Sequence, residues 1–211
     1  MTNGLMNINT LFDVLQRFKH ATLPYAERVL DIGAGTCNFK DLYPWLDAKI
    51  TFLDMDDSDG NFFNMARAAL KDEDNYSFVT STSDDLSMFE DGSFDMVIFS
   101  HVIEHLTFEQ RDKTMSEISR VLRRDGIMSL STPARNGRKL VGKYKAHPGH
   151  VEEYSHEELN KFITEAGFVI RNNDYCVLKV EEDANDTYNV TFTLHNEGDK
   201  AYAYYYVCEK L

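Results

Sequence analysis

Short apolar runs alternate with segments of helical periodicity along most of this chain. The run Phe94–Ser100 reads FDMVIFS, which is typical of a strand covered on both faces. Between such runs, apolar residues recur three and four positions apart, as Met115, Ile118 and Leu122 do. The pattern predicts seven strands, at residues 28–32, 49–53, 77–80, 94–100, 127–131, 168–175 and 202–208.

Specific side chains mark the helix boundaries. Thr107 with Gln110, and Ser155 with Glu158, have the three-residue spacing of a capping box. Gly167 is expected to end the helix that begins at Ser155. Strands that alternate with helices in this way favour a parallel α/β sheet with helices on both faces.

The most informative motif is the segment 29–39, VLDIGAGTCNF. An apolar strand leads into Asp31 and then into Gly33 and Gly35. Glycines at a strand-to-helix turn let the backbone approach a ligand that a Cβ would exclude. The next predicted strand leads into Asp54, where a carboxylate accepts hydrogen bonds from a ribose diol. Together these residues predict a site for an adenosine-containing cofactor.

Composition excludes several classes of protein. The chain has 211 residues, 43% of them hydrophobic, which is enough for one domain with a sizeable core. The formal net charge of −13 argues against broad binding to nucleic acid or to a membrane surface. The three cysteines lie far apart, and no signal peptide or membrane-spanning apolar run is recognisable. We therefore expect a cytoplasmic protein.

Two positions distinguish between kinds of cofactor. A dinucleotide site favours a third glycine where this chain has Asn38, and Asp31 would repel a pyrophosphate. S-adenosylmethionine has an ammonium and a sulfonium but no phosphate, so it suits an acid there. The order of motifs over residues 29–167 resembles the class I S-adenosylmethionine-dependent methyltransferases. The nearest subgroup is the small-molecule methyltransferases with a Glu–His pair after the fourth strand. The motifs are LDIGAG, the acid at Asp54, and the segments 84–106, 118–133 and 154–168.

The resemblance implies a fold and a division of roles. The fold is Rossmann-like and doubly wound, a mostly parallel seven-stranded sheet with helices on both faces and an antiparallel last strand. Asp31 is implied to orient the cofactor ammonium, and Asp54 to hold the ribose hydroxyls. Gly33 and Gly35 are implied to let the backbone meet the amino-acid end of the cofactor. The product of the reaction is S-adenosylhomocysteine.

Other roles also follow from the resemblance. Met55 is implied to pack on adenine, a role that suits a polarisable side chain. Ser100 is implied to face the methionine portion of the cofactor. Cys37 and Thr82 depart from the family, since they stand where a glycine and an adenine-binding acid are frequent. Two more residues are implied to lie near the adenine edge, Ser83 and Asp84.

The segment HVIEH, residues 101–105, has two interpretations. It fits the H-x-x-E-H pattern, in which His101, Glu104 and His105 would form the site of a zinc hydrolase. It follows directly on a buried strand, however, where the methyltransferase interpretation predicts a loop and a short helix, so no metal is expected. In that interpretation His105 is either structural or faces the acceptor. Four histidines are candidate bases for a hydroxyl acceptor, namely His101, His105, His147 and His150.

A basic segment interrupts the core pattern at residues 134–150. It has five Arg or Lys residues, two histidines and no acid in a chain that is otherwise acidic. It is either a cap that faces an anionic acceptor, bearing carboxylate or phosphate, or a solvated loop that balances nearby acids. The candidate acceptor-binding residues are Arg135, Arg138, Lys139 and His147.

We expect a single domain over residues 1–211. Its parts are a leading helix in 1–27, a cofactor-binding core at 28–133, the basic cap at 134–153 and the end of the sheet at 154–211. The expected function is in-line methyl transfer from S-adenosylmethionine to a small-molecule acceptor by a monomer or homodimer. A catalytically weak cofactor-binding or scaffold subunit is the alternative.

Overall fold

Eight strands in the described part of the chain form one mixed sheet around which the helices pack. The computed structural model describes residues 23–37, 47–55, 62–135, 149–182, 188–195 and 203–211. The strands are β1 (Arg28–Ile32), β2 (Lys49–Asp54), β3 (Tyr76–Thr80), β4 (Phe94–Ser100), β5 (Leu122–Pro133), β6 (Phe168–Glu182), β7 (Tyr188–His195) and β8 (Ala203–Lys210). The helices are α1 (Phe62–Leu70), α2 (Phe108–Val121) and α3 (His156–Glu165), with a 3-10 turn at Ile103–His105.

The strand order is β3-β2-β1-β4-β5-β8-β6-β7. Strands β1 to β5 pair in parallel, and β8 is antiparallel to both of its neighbours, β5 and β6. The predicted doubly wound sheet with an antiparallel last strand is therefore confirmed. The order reverses between β1 and β4, and in such sheets ligands bind beyond the carboxyl ends of the strands at this point.

Three features of the sheet differ from the sequence pattern. Strand β7 was not predicted, and it pairs with β6, which continues to Glu182. Strand β5 begins at Leu122, directly after α2, whereas the pattern predicted Leu122 as a helical position and a strand only from residue 127. A Cβ on Gly126 would lie 2.8 Å from the Arg123 carbonyl oxygen, so the glycine serves a close backbone approach within a strand.

Both predicted capping boxes are present. The Thr107 and Ser155 side chains each accept the backbone N–H of the residue three positions later, and Gln110 and Glu158 bond back to the two cap N–H groups. The leading helix, which the apolar spacing predicts at residues 9–21, lies outside the described residues. The short helix predicted between Gly35 and Pro44 falls mostly on residues that the structure does not describe. None of the described helices is long and apolar enough to cross a bilayer.

Two apolar clusters hold the helices on opposite faces of the sheet. Leu30 and Ile32 belong to one cluster together with residues of α2 and α3, and Val29 belongs to the other with Phe63 of α1. Because successive side chains of a strand point to opposite faces, this alternation places helices on both sides of β1. Asp31 shares the face of Val29.

The turn after β1 packs tightly against the segment after β4. Gly33 has φ +71°, and a Cβ added to it would overlap Cγ2 of Val102. Gly35 also has a positive φ, of +51°, but a Cβ there would meet nothing within 4 Å. The two glycines therefore have different roles, since the first permits a close approach and the second only a backbone conformation.

We expect Gly33→Ala to lower the free energy of unfolding by about 3 kcal/mol, from overpacking and left-handed strain combined. Gly35→Ala is the matched control. Only the left-handed strain should destabilise it, which lowers the free energy of unfolding by roughly 1 kcal/mol. Adding Val102→Ala to Gly33→Ala removes the overlap, so urea unfolding should show a coupling free energy of about 1–2 kcal/mol between the two sites. Strictly additive effects would contradict this contact.

Candidate active site

The carboxyl ends of β1, β2 and β4 open onto a cavity of about 380 Å³. This volume lies within the range of small-molecule sites, roughly 300–1,000 Å³. Seven of the predicted cofactor-binding or catalytic residues line it, namely Gly33, Asp54, Met55, Ser83, Asp84, His101 and His105, and Thr82 lines it as well. Asp31, Gly35, Ser100 and His150 are not part of its lining.

Asp54 is held at the tip of β2 by two backbone groups. Its Oδ2 accepts the N–H of Gly35 at 2.6 Å and its Oδ1 accepts the N–H of Met55 at 2.7 Å. The turn after β1 is drawn to β2 by a further bond, from the Gly33 N–H to the Leu53 carbonyl at 2.8 Å. A carboxylate accepts about four hydrogen bonds, so the fixed group retains capacity for a diol. Met55 is 52% exposed beside it.

Asp31 is fully buried, and both of its carboxylate oxygens lack a hydrogen-bond partner among the described residues. Burial, and then the charge of Asp54, raise the pKa of Asp31 well above its ordinary value. A buried carboxylate without a partner is costly, and a cationic ligand removes that cost. The ammonium and sulfonium of S-adenosylmethionine are cationic, so the pair Asp31 and Asp54 fits this cofactor.

The serines near the cavity are engaged with neighbouring elements. The Ser83 and Thr114 hydroxyls lie 3.0 Å apart, which ties the loop after β3 to α2. Ser100 and Ser131 have hydroxyls 2.5 Å apart, which links the ends of β4 and β5. Asp84 lies at the cavity with Oδ2 3.7 Å from Nζ of Lys113. The implied cofactor contacts of these residues stay predictions.

His101 follows β4 in a left-handed conformation, with φ +55°. Its N–H donates to the Ser131 carbonyl at 2.8 Å, and its Nδ1 lies 3.4 Å from Oε1 of Glu104. Glu104 is buried, and its Oε2 accepts the Thr132 hydroxyl at 3.0 Å. Burial alone raises the pKa of Glu104, but the hydrogen bond and charge of His101, with the charge of His105, hold it below its ordinary value.

The geometry does not suit the zinc-hydrolase interpretation. That pattern needs two histidines one turn apart on a continuous α-helix, with the glutamate between them as base. Here His101 precedes the helical residues in a left-handed conformation, and only the 3-10 turn Ile103–His105 follows it. Glu104 bonds to Thr132 of β5 and is buried beneath the turn.

The structure brings His105 and His150 together, although 45 positions separate them in sequence. Their rings lie 4.8 Å apart, edge to face. His105 Nδ1 is 2.9 Å from the Gly149 carbonyl oxygen, and His150 Nδ1 is 2.8 Å from Oε1 of Glu153. Both histidines were predicted from the sequence as candidate bases, but no sequence pattern indicated that they would be in contact.

Arg135 is a predicted acceptor-binding residue whose guanidinium makes several protein contacts. It donates to Glu153 O at 2.8 Å, to Glu158 Oε1 at 2.7 Å and to Glu152 Oε1 at 2.5 Å. The bond from the Ser155 N–H and that from Arg135 lower the pKa of Glu158 to about 2. These contacts account for the position of Arg135 without a substrate. The other predicted residues of the cap, Arg138, Lys139 and His147, lie outside the described residues.

Sequence comparison identifies the domain that carries this site. Residues 30–130 match a family model described as a methyltransferase domain. A probable S-adenosylmethionine-dependent methyltransferase of Mycobacterium tuberculosis is 37% identical over 79 residues, which are 37% of this chain and 28% of that protein. The aligned region thus spans less than a third of the length of this curated relative.

Solved structures share the fold over nearly the whole chain. A methyltransferase of Archaeoglobus fulgidus has a TM-score of 0.67 at 17% identity and covers 97% of this chain and 95% of its own. The 1,6-didemethyltoxoflavin-N1-methyltransferase of Burkholderia thailandensis was solved with 1,6-didemethyltoxoflavin and S-adenosylhomocysteine bound. It has a TM-score of 0.61 at 17% identity and covers 93% of this chain and 75% of its own. Residues 30–130 therefore match a methyltransferase domain, and the chain shares the fold of these methyltransferase structures.

Proposed function

We propose that this protein transfers the methyl group of S-adenosylmethionine to a small-molecule acceptor by in-line displacement. The observation that supports the proposal most is the buried, unpartnered carboxylate of Asp31 near Asp54, since Asp54 lines a cavity that His101 and His105 also line. The two carboxylates suit a cationic nucleoside, and the two histidines offer imidazoles to an acceptor.

The protein contributes binding and alignment, since the cofactor supplies the electrophilic methyl group when it is bound. We propose that Asp31 holds the ammonium, that Asp54 holds the ribose hydroxyls, and that Met55 covers the adenine. Ser83 and Asp84 would lie at the adenine edge. Fixing both reactants in one orientation and excluding water supply most of the acceleration in such a reaction.

The acceptor is proposed to enter on the side of His101 and His105. An imidazole there can take the proton of a hydroxyl acceptor as the new bond forms. The cap residues Arg138 and Lys139 would then hold a carboxylate or phosphate of the acceptor. We also propose a cytoplasmic protein that acts as a monomer or homodimer and does not bind nucleic acid.

Transfer can be tested with S-adenosylmethionine labelled in the methyl group and fractionated pools of small metabolites. We expect label in a low-molecular-weight fraction with the wild-type protein and none with Asp54→Ala, because a ribose contact is lost. Calorimetric binding of S-adenosylhomocysteine without transfer to any fraction would instead support the non-catalytic alternative. Labelled macromolecules in a cell lysate would contradict a small-molecule acceptor.

Asp31→Asn should have opposite effects on stability and on binding. The raised pKa of Asp31 gives the folded state a stability contribution that is complete below pH 3.8, the ordinary pKa, and is lost as the pH rises through the folded-state pKa. At neutral pH the neutral amide should therefore raise the unfolding free energy of the ligand-free protein by about 1–3 kcal/mol. It should also weaken binding of S-adenosylhomocysteine about tenfold or more.

Thermal unfolding from pH 4 to pH 8 and calorimetry measure these two effects. Asp125→Asn is the matched control, because Asp125 is exposed, has a positive φ that asparagine tolerates and lies away from the cavity. It should change neither stability nor binding. Destabilisation by Asp31→Asn together with unchanged affinity would show that Asp31 serves the fold alone.

Neutralising the basic residues of the cap should distinguish residues that bind the acceptor from a residue that stabilises the fold. Arg138→Gln with Lys139→Gln should raise KM for the acceptor about tenfold and leave KM for S-adenosylmethionine unchanged, since charged hydrogen bonds to the acceptor are lost. Arg135→Gln should instead lower thermal stability, because its ion pairs with Glu152 and Glu158 are lost. Steady-state kinetics and unfolding curves distinguish these results, and equal rises in both KM values would contradict the acceptor role of the cap.

A further inference from the structure

Three side chains, of which His105 lines the cavity, are arranged as a set of metal ligands. Glu104, His105 and His150 each present one ligand atom, and these atoms all lie within 4.8 Å of one another. Glu104 and His105 come from the 3-10 turn after β4, whereas His150 comes from the segment that leads to α3. Two imidazoles and a carboxylate are the donors that divalent transition-metal ions prefer.

The contacts of the two imidazoles favour one tautomer of each neutral ring. His105 Nδ1 lies 2.9 Å from a carbonyl oxygen, that of Gly149, which can only accept a hydrogen bond. His150 Nδ1 lies 2.8 Å from the Glu153 carboxylate. Both contacts favour the tautomer with the proton on Nδ1, so that Nε2 of a neutral ring carries the lone pair. Metal-binding histidines are oriented by the same pairing with a carbonyl or a carboxylate.

Backbone bonds join the two segments that carry these ligands. The Glu104 carbonyl accepts the N–H of Val151 at 2.8 Å and that of Glu152 at 3.2 Å. The Glu104 side chain is fixed by the Thr132 hydroxyl at 3.0 Å. Arg135 donates to the Glu152 side chain and to the Glu153 carbonyl. The segment that carries His150 is therefore bonded both to the 3-10 turn and to Arg135. A site of three ligands needs this kind of support if it is to keep its geometry.

We propose that Glu104, His105 and His150 bind one divalent transition-metal ion, of which Zn²⁺ is the representative, at the wall of the cavity. The ligand atoms of a tetrahedral zinc site lie about 3.3 Å apart. Side-chain rotations that move each ligand atom by about 1 Å would therefore close the cluster around an ion. Three protein ligands leave a coordination position open.

The open position gives the ion a function in the proposed reaction, and His101 is then the imidazole at the cavity that can take the acceptor proton. His105 lines the cavity, so an ion bound to it can hold an oxygen or nitrogen of the acceptor beside the cofactor. This role rests on the proposed function, whereas binding of the ion does not. The acceptor class would then be a small molecule with a metal-binding hydroxyl, carboxylate or amine.

Calorimetric titration of chelator-treated protein with Zn²⁺ alone tests the site. We expect one ion per chain, with affinity lowered at least about 100-fold in His105→Asn and in His150→Asn. Glu104→Gln keeps the size of the side chain and can still accept from Thr132, and it should also weaken binding. Glu153→Gln, which changes only the group that orients His150, should weaken binding about tenfold.

His156→Gln is the matched control, because His156 contacts Asn160 and Asn173 and does not belong to the cluster. It should bind Zn²⁺ as the wild type does. Absence of stoichiometric binding, or binding that survives both cluster variants, would overturn the proposal. If a cluster variant does not fold, NMR of the wild type with Co²⁺ decides, since paramagnetic broadening must centre on His105 and His150.

Binding of S-adenosylhomocysteine, measured on the same preparations, keeps the two proposals separate. Cofactor binding without Zn²⁺ binding would overturn the metal site and leave the methyltransferase proposal standing. Zn²⁺ binding that depends on the cluster, without binding of the cofactor product, would support the metal site and contradict the proposed methyl transfer.

Discussion

The arrangement of two neighbouring carboxylates constrains the whole cofactor side of this protein. Asp31 is buried with both oxygens unpartnered among the described residues, and Asp54 lies close enough to raise its pKa. The sheet could have placed an apolar residue at Asp31 and gained stability. The acidic residue therefore imposes a cost on the fold, which protonation of Asp31 or a cationic ligand would reduce. Asp54, in contrast, is satisfied by two backbone N–H groups, so it is ordered before any ligand binds.

The arrangement of the histidines near the cavity depends on a third carboxylate, that of Glu104. Its side chain contacts His101 and Thr132, and its carbonyl accepts two N–H groups from the segment that carries His150. One residue thus joins the end of β4, the end of β5 and the chain that leads to α3. These hydrogen bonds hold the segment that carries His150 against the 3-10 turn that carries His105.

Local patterns were sufficient to predict most of the fold. The strands, the two capping boxes and the glycine turn are encoded within a few residues, and so Thr107, Ser155 and Gly33 could be interpreted directly. The contact between His105 and His150 could not be predicted, since it depends on how the segment after β5 returns to β4. Strand β7 was missed for a related reason, because a strand at the edge of a sheet is defined by its partner more than by its own sequence. The ion pairs of Arg135 are likewise long-range.

The two sides of the cavity are mechanically connected at Gly33. β1 and β4 are adjacent parallel strands, so the turn after one lies against the turn after the other. Gly33 lacks the Cβ that would overlap Val102, and Val102 stands between His101 and the 3-10 turn that carries Glu104 and His105. The backbone that would meet the cofactor is therefore in direct contact with the segment that would meet the acceptor. In the proposed in-line displacement the two reactants must be closely aligned, and this contact between the two segments would support that alignment.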